Sequence, residues 1–99
     1  MNTLQLRVLV RKDGDWWVAR GVDHDIATQA RTSEDLQYDF ERMLVTQLIV
    51  DAQHSRPPLS SVPRAPAEVE RAWQEGLTAV LPPVHRANLP TMRLDARFG

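Results

Sequence analysis

Hydrophobic residues recur at every second position over residues 3–11. Leu4, Leu6, Val8 and Val10 project to one side and Gln5, Arg7 and Arg11 to the other, the pattern of a half-buried strand. Lys12-Asp13-Gly14-Asp15 follows, and Asp-Gly between two strand-like runs predicts a hairpin because glycine accepts the positive φ the turn demands. The second strand, residues 16–22, places Trp16, Val18, Arg20 and Val22 on one face and Trp17, Ala19 and Gly21 on the other. The latter face tapers to small residues, so a helix can approach it closely. Beyond the corner Asp23-His24-Asp25, Ile26-Ala27-Thr28-Gln29 reads as a short third strand, and Ala30-Arg31 turns the chain over.

The period then lengthens. Thr32 or Ser33 caps a helix of about five turns. Asp35, three residues after Thr32, stands where a capping box has Glu or Gln, and Glu34 and Asp35 complement the positive end of the helix dipole. Leu36, Phe40, Met43, Leu44, Gln47 and Leu48 form one stripe, and Val45, Ile49 and Ala52 a second, flanking one. A sheet covers only one stripe. The surplus is expected to be a contact surface, most simply for self-association, with the chain's own C-terminal half or another partner as alternatives.

Gln53 to Pro66 holds four prolines and is expected to be a linker or an extended wrap. Pro66 opens a short helix, Ala67 to Glu75, closed by Gly76, with Val69, Ala72 and Trp73 as its apolar side and Trp73 as its anchor. Leu77 to Pro83 reads as apolar and irregular. Thr91 to Phe98 alternates again, as a late edge strand of this chain or one lent to a partner. The expected fold class is α+β: an antiparallel sheet of three to four strands in the order β-β-β-α-β on one long helix, with a short second helix and a Pro-rich extended C-terminal segment. The expected segments are a domain over 1–53, a linker over 54–66, and a helix with an extended tail over 67–99, packed on the same domain or on a partner subunit.

Ninety-nine residues, 42% hydrophobic and 25% charged, suit one domain with a modest core. The absence of cysteine excludes disulfides, thiolate zinc sites and a cysteine nucleophile. No basic leader precedes an apolar stretch and no apolar run is long enough to span a bilayer, so a cytoplasmic location without membrane contact is expected. The net charge of −1 hides an asymmetry, −3 over residues 1–52 and +2 over 53–99. A dedicated nucleic-acid binder carries a denser basic patch, and direct nucleic-acid binding is disfavoured.

Trp16 and Trp17 read as core plus interface, alongside a second reading as a stacking platform for a ligand. Asp23-His24-Asp25 has metal-binding residue types, yet neighbours in an extended corner diverge and no further ligands cluster nearby, so neither metal nor cofactor is expected. No carboxylate lies on the first strand, as a two-metal nuclease would need, and the serines and histidines have no glycine-rich elbow beside them, so no catalytic residue is assigned. The candidate interaction residues are Trp16, Trp17, Val45, Ile49 and Trp73. An alternative function, a small-ligand or metal-responsive domain, would use Trp16, Trp17 and the Asp23-His24-Asp25 corner. A weaker one, RNA binding, would use Arg7, Arg11, Lys12 and Arg20.

Trp17-Val18-Ala19-Arg20 through Ile26-Ala27-Thr28-Gln29-Ala30-Arg31-Thr32-Ser33-Glu34-Asp35-Leu36 resembles the N-terminal domain of HicB-like antitoxins, over roughly residues 4–52. The resemblance implies a partial ribonuclease-H-like fold, β-β-β-α with a fourth strand, and a non-catalytic, antitoxin-type or regulatory protein. Such a protein would form a homodimer or higher oligomer and neutralise a small basic ribonuclease toxin. Ala30 stands where the family turn usually has glycine. Residues 53–99 show neither a helix-turn-helix nor a ribbon-helix-helix, so a stand-alone form lacking the DNA-binding module is expected.

Overall fold

A computed structural model describes residues 3–99; Met1 and Asn2, the first residues of the expected N-terminal domain, lie outside the described residues. The fold is α+β. Strands β1 (Thr3–Asp13), β2 (Trp16–Gly21) and β3 (Ala27–Ala30) precede the long helix α1 (Ser33–Gln53). Helix α2 (Ala67–Glu75) and strands β4 (Leu77–Val80) and β5 (Thr91–Phe98) complete the chain. The five strands form one sheet in the order β3-β2-β1-β5-β4.

The sheet is mixed, which corrects the antiparallel expectation. β1 pairs antiparallel with β2, as β2 does with β3 and β4 with β5, but β5 runs parallel to β1 from Thr3↔Thr91 to Val10↔Phe98. The last alternating stretch is therefore an interior strand, not an edge strand. Residues 77–80, expected to be irregular, form the edge strand β4 beside it. Alternation reports that one face is buried; it carries no information about strand direction or neighbours. A parallel partner requires a long crossover, and α1, the Pro-rich stretch, α2 and β4 supply it.

Local chemistry explains the elements. Asp13 pairs with Trp16, leaving a two-residue loop that begins at Gly14 with φ +59°, the glycine-first form of hairpin turn. Thr32 caps α1: its backbone is extended, and its Oγ1 accepts the N–H of Asp35 at 3.1 Å. Leu36, Phe40, Leu44 and Leu48 recur every fourth residue and are buried against the sheet.

The sheet is covered on both faces. Leu6, Val8 and Val10 of β1 join α1 in the main core, while Leu9, Val22, Val69 and Trp73 form a second cluster under α2. The alternation of β1 places Leu9 opposite Val8, so this strand has two apolar contacts to make. Helix α2 covers the expected residues, and its Trp73 Nε1 donates to the Asp95 carbonyl at 2.9 Å.

Residues 54–66 are tied down at several points. The Asp25 N–H donates to the Pro63 carbonyl at 2.7 Å, and the Ala65 N–H to the Val22 carbonyl at 3.0 Å. Leu59 is 1% exposed and joins the main core. Among the described residues, no helix is long and apolar enough to cross a membrane.

Candidate functional site

The polar corner between β2 and β3 is an ion-pair network. Arg7, on the α2 side of β1, donates to Asp23 through Nε at 3.0 Å and through its terminal nitrogen at 2.5 Å, and to Glu70 of α2 at 2.6 Å. Arg64 joins both carboxylates, at 3.7 Å from Asp23 and 2.9 Å from Glu70. Arg20 grips Asp25 with two hydrogen bonds, at 2.8 and 3.0 Å. The hydrogen bonds from Arg7 hold the Asp23 carboxyl below its ordinary range against the opposing effect of burial, and those from Arg20 do the same for Asp25. The Arg7 guanidinium is correspondingly harder to deprotonate, first through its bond to Asp23. His24 turns to the Val62 carbonyl, 3.4 Å from its Nδ1. Among the described residues, no three His, Cys, Asp or Glu side chains gather as metal ligands do.

The five expected interaction residues lie in separate places. Trp73 is 7% exposed, with the Arg97 guanidinium 3.9 Å from its ring centroid and that of Arg7 at 5.1 Å. Trp16, on the α2 side, has Arg31 at 4.4 Å. Trp17, on the α1 side, meets Phe98 edge-on at 6.4 Å between centroids and carries Lys12 at 5.4 Å. Val45 packs against the main core, and Ile49 is 45% exposed. The four cations considered for RNA are likewise dispersed: Arg7 and Arg20 are engaged by acids, and Lys12 lies on the opposite face from Arg7, Arg11 and Arg20.

An apolar cleft of about 190 Å³ lies between α1 and the sheet. Val8, Val10 and Ala19 floor it, Leu36 and Phe40 of α1 form one wall, Ala79, Leu94 and Phe98 form the other, and Trp17 closes one end. Ser33 and Gln37 are its polar members. The cleft exists because α1 leans over β2 and β3, leaving β5 and β4 less covered.

The acids outside any salt bridge among the described residues include Asp13 and Asp15 of the hairpin turn and Glu34 and Asp35 of the first turn of α1. Pairing of Asp13 with Trp16 and of Trp17 with Ala30 brings the hairpin turn and the start of α1 to the same end of the molecule, the end of the cleft that Trp17 closes.

Comparison with known proteins adds no relative. No family model, curated protein or solved structure matches the chain.

Two features escape a reading of the sequence. The cleft has walls from β4 and β5, whose neighbours alternation cannot name. Asp51 had a visible signal, since it continues the buried stripe Leu36-Phe40-Leu44-Leu48 as its single charged member. It is 1% exposed. Its carboxylate accepts the N–H of Leu59 at 2.7 Å, Gln47 Nε2 at 3.1 Å and Arg56 Nε at 3.2 Å. Burial works against its ionisation, but the bonds from Leu59, Gln47 and Arg56 outweigh it and hold the carboxyl below its ordinary range.

Proposed function

We propose that this chain is a non-catalytic, HicB-like interaction protein of the cytoplasm, antitoxin-type or regulatory, that self-associates and neutralises a small basic ribonuclease. The observation that carries the reading is the outer face of α1. Its first turn is acidic, with Glu34 and Asp35, and exposed Tyr38, Met43 and Ile49 follow along it at 61%, 40% and 45%. An acidic start joined to apolar side chains in water suits a macromolecular partner of opposite charge.

Two further features support it. The carboxylates of Asp23, Asp25 and Asp51 are committed to arginines and backbone donors that hold the fold together, which leaves them poor candidates for general acid or base. The succession of three antiparallel strands, a capped helix and a later strand added beside β1 also agrees with the partial ribonuclease-H-like arrangement that the resemblance implies.

The test is co-expression with the product of a neighbouring small gene. A co-eluting complex in which that product's ribonuclease activity is suppressed supports the proposal. A chain that elutes alone and leaves the activity intact overturns it.

A further inference from the structure

The cleft between α1 and β5 is a preformed apolar space. Its floor of Val8, Val10 and Ala19 belongs to paired strands, and Leu36 and Phe40 in its α1 wall are 4% and 3% exposed, so the core fixes both. At the end that Trp17 closes, its ring meets Phe98 edge-on. Phe98 is 44% exposed, which marks where the cleft reaches solvent. Protein interiors leave few spaces larger than a water molecule, and a space walled by aliphatic and aromatic side chains offers water few partners.

Size and charge select the occupant. The volume of about 190 Å³ exceeds the about 150 Å³ of an engineered cavity that admits benzene, and lies below the about 300 Å³ at which pockets begin to enclose drug-sized ligands. Among the described lining residues none is ionisable, so a charged group would lose its hydration and gain no partner. Trp17, Phe40 and Phe98 supply three rings for edge or offset contact with a fourth. Ser33 and Gln37, one turn apart on α1, are uncharged and can take one neutral hydrogen-bonding group.

We propose that the cleft binds a small, neutral aromatic molecule, with one ring among Trp17, Phe40 and Phe98 and a single uncharged polar substituent against Ser33 or Gln37. The site is separate from the exposed Tyr38, Met43 and Ile49 of α1, and its ligand stands apart from the antitoxin-type reading.

The probes are toluene, p-cresol and benzoate, one ring size in apolar, hydroxylated and charged form, titrated into the full chain with isotope-labelled valine and leucine methyl groups. Toluene and p-cresol are expected to shift the methyl signals of Val8, Val10, Leu36 and Leu94 saturably, with half-saturation at about 1 mM or below, and benzoate to leave them in place. Ala79→Leu, which fills the cleft, is expected to weaken both neutral ligands about tenfold. The double variant Ser33→Ala with Gln37→Leu is expected to weaken p-cresol about fivefold relative to toluene.

Failure of both neutral ligands to shift these methyls overturns the proposal, as do shifts confined to other residues, benzoate binding as tight as that of p-cresol, or equal affinity for a folded Ala79→Leu variant. If Ala79→Leu does not fold, the contrast between the neutral ligands and benzoate on the wild type decides. An unchanged ratio of p-cresol to toluene affinity in the double variant overturns the polar contact. Shifts of the same methyls with protein concentration alone would give the cleft to a second copy. Insensitivity to both neutral ligands, with shifts of these methyls in a complex with the neighbouring gene's product, would give it to a protein side chain. Either result overturns the small-molecule site and leaves the antitoxin-type reading standing.

Discussion

The carboxylate of Asp51, in the last turn of α1, accepts the backbone N–H of Leu59 at 2.7 Å, and both residues are 1% exposed. Leu59 sits at φ +62°, a conformation a leucine keeps only where its surroundings fix it. The bond fixes the turn that follows α1 and delivers the Leu59 side chain to the core. Asp51→Ala leaves a buried N–H without an acceptor and should cost about 2–3 kcal/mol. Thermal melting checks this, with a fall of about 4–8 °C expected per kcal/mol for a domain of this size. An unchanged melting temperature would show that the turn holds itself.

Acid should unfold the protein through a small set of carboxylates. Asp23 and Asp25 are held below the ordinary carboxylate range by hydrogen bonds from Arg7 and Arg20, and Asp51 by bonds from Leu59, Gln47 and Arg56 that outweigh its burial. A depressed folded value means that their stabilisation is complete above the unfolded value and is lost as the pH falls through the folded ones. Urea midpoints should therefore be level from about pH 5 to 7 and decline below about pH 4. In Asp51→Ala the decline should be shallower, because one of the three contributions is gone.

Two glycines should respond differently to substitution. Gly14 has φ +59° and open space where a Cβ would go, so Gly14→Val costs only backbone strain, about 1–2 kcal/mol, with loss of hairpin register. A Cβ on Gly21 would collide with the carbonyl oxygen of His24. Gly21→Ala must move the corner that positions Asp23 and Asp25, and should destabilise by about 2 kcal/mol or more. Denaturant titration of both variants tests the order; a milder Gly21→Ala would contradict the steric account.

The two sides of α1 should separate stability from association. Phe40 is 3% exposed in the main core, and Phe40→Ala should cost about 3–5 kcal/mol, a large part of the about 5–15 kcal/mol available to a domain. Ile49 is 45% exposed, and Ile49→Asp should change stability by about 0.5 kcal/mol or less while dissociating the self-associated form proposed above. Light scattering on the wild type and on Ile49→Asp gives the answer; identical masses would remove Ile49 from any contact between copies.

The chain's own chemistry determined its local elements. The alternation of Leu4, Leu6, Val8 and Val10, Gly14 in its turn, Thr32 with Asp35 at the helix start, and Pro66 before α2 each act within a few residues. Only the tertiary structure decided what those elements meet. Met92, Leu94, Ala96 and Phe98 alternate identically in an edge strand and in an interior one, and the parallel pairing of β5 with β1 follows from how the intervening crossover closes. That pairing created the cleft and gave Trp17 its contact with Phe98. Arg7 reaches Glu70 across 63 positions of sequence for the same reason: burial and charge pairing act through space, and periodicity records only that a face is covered.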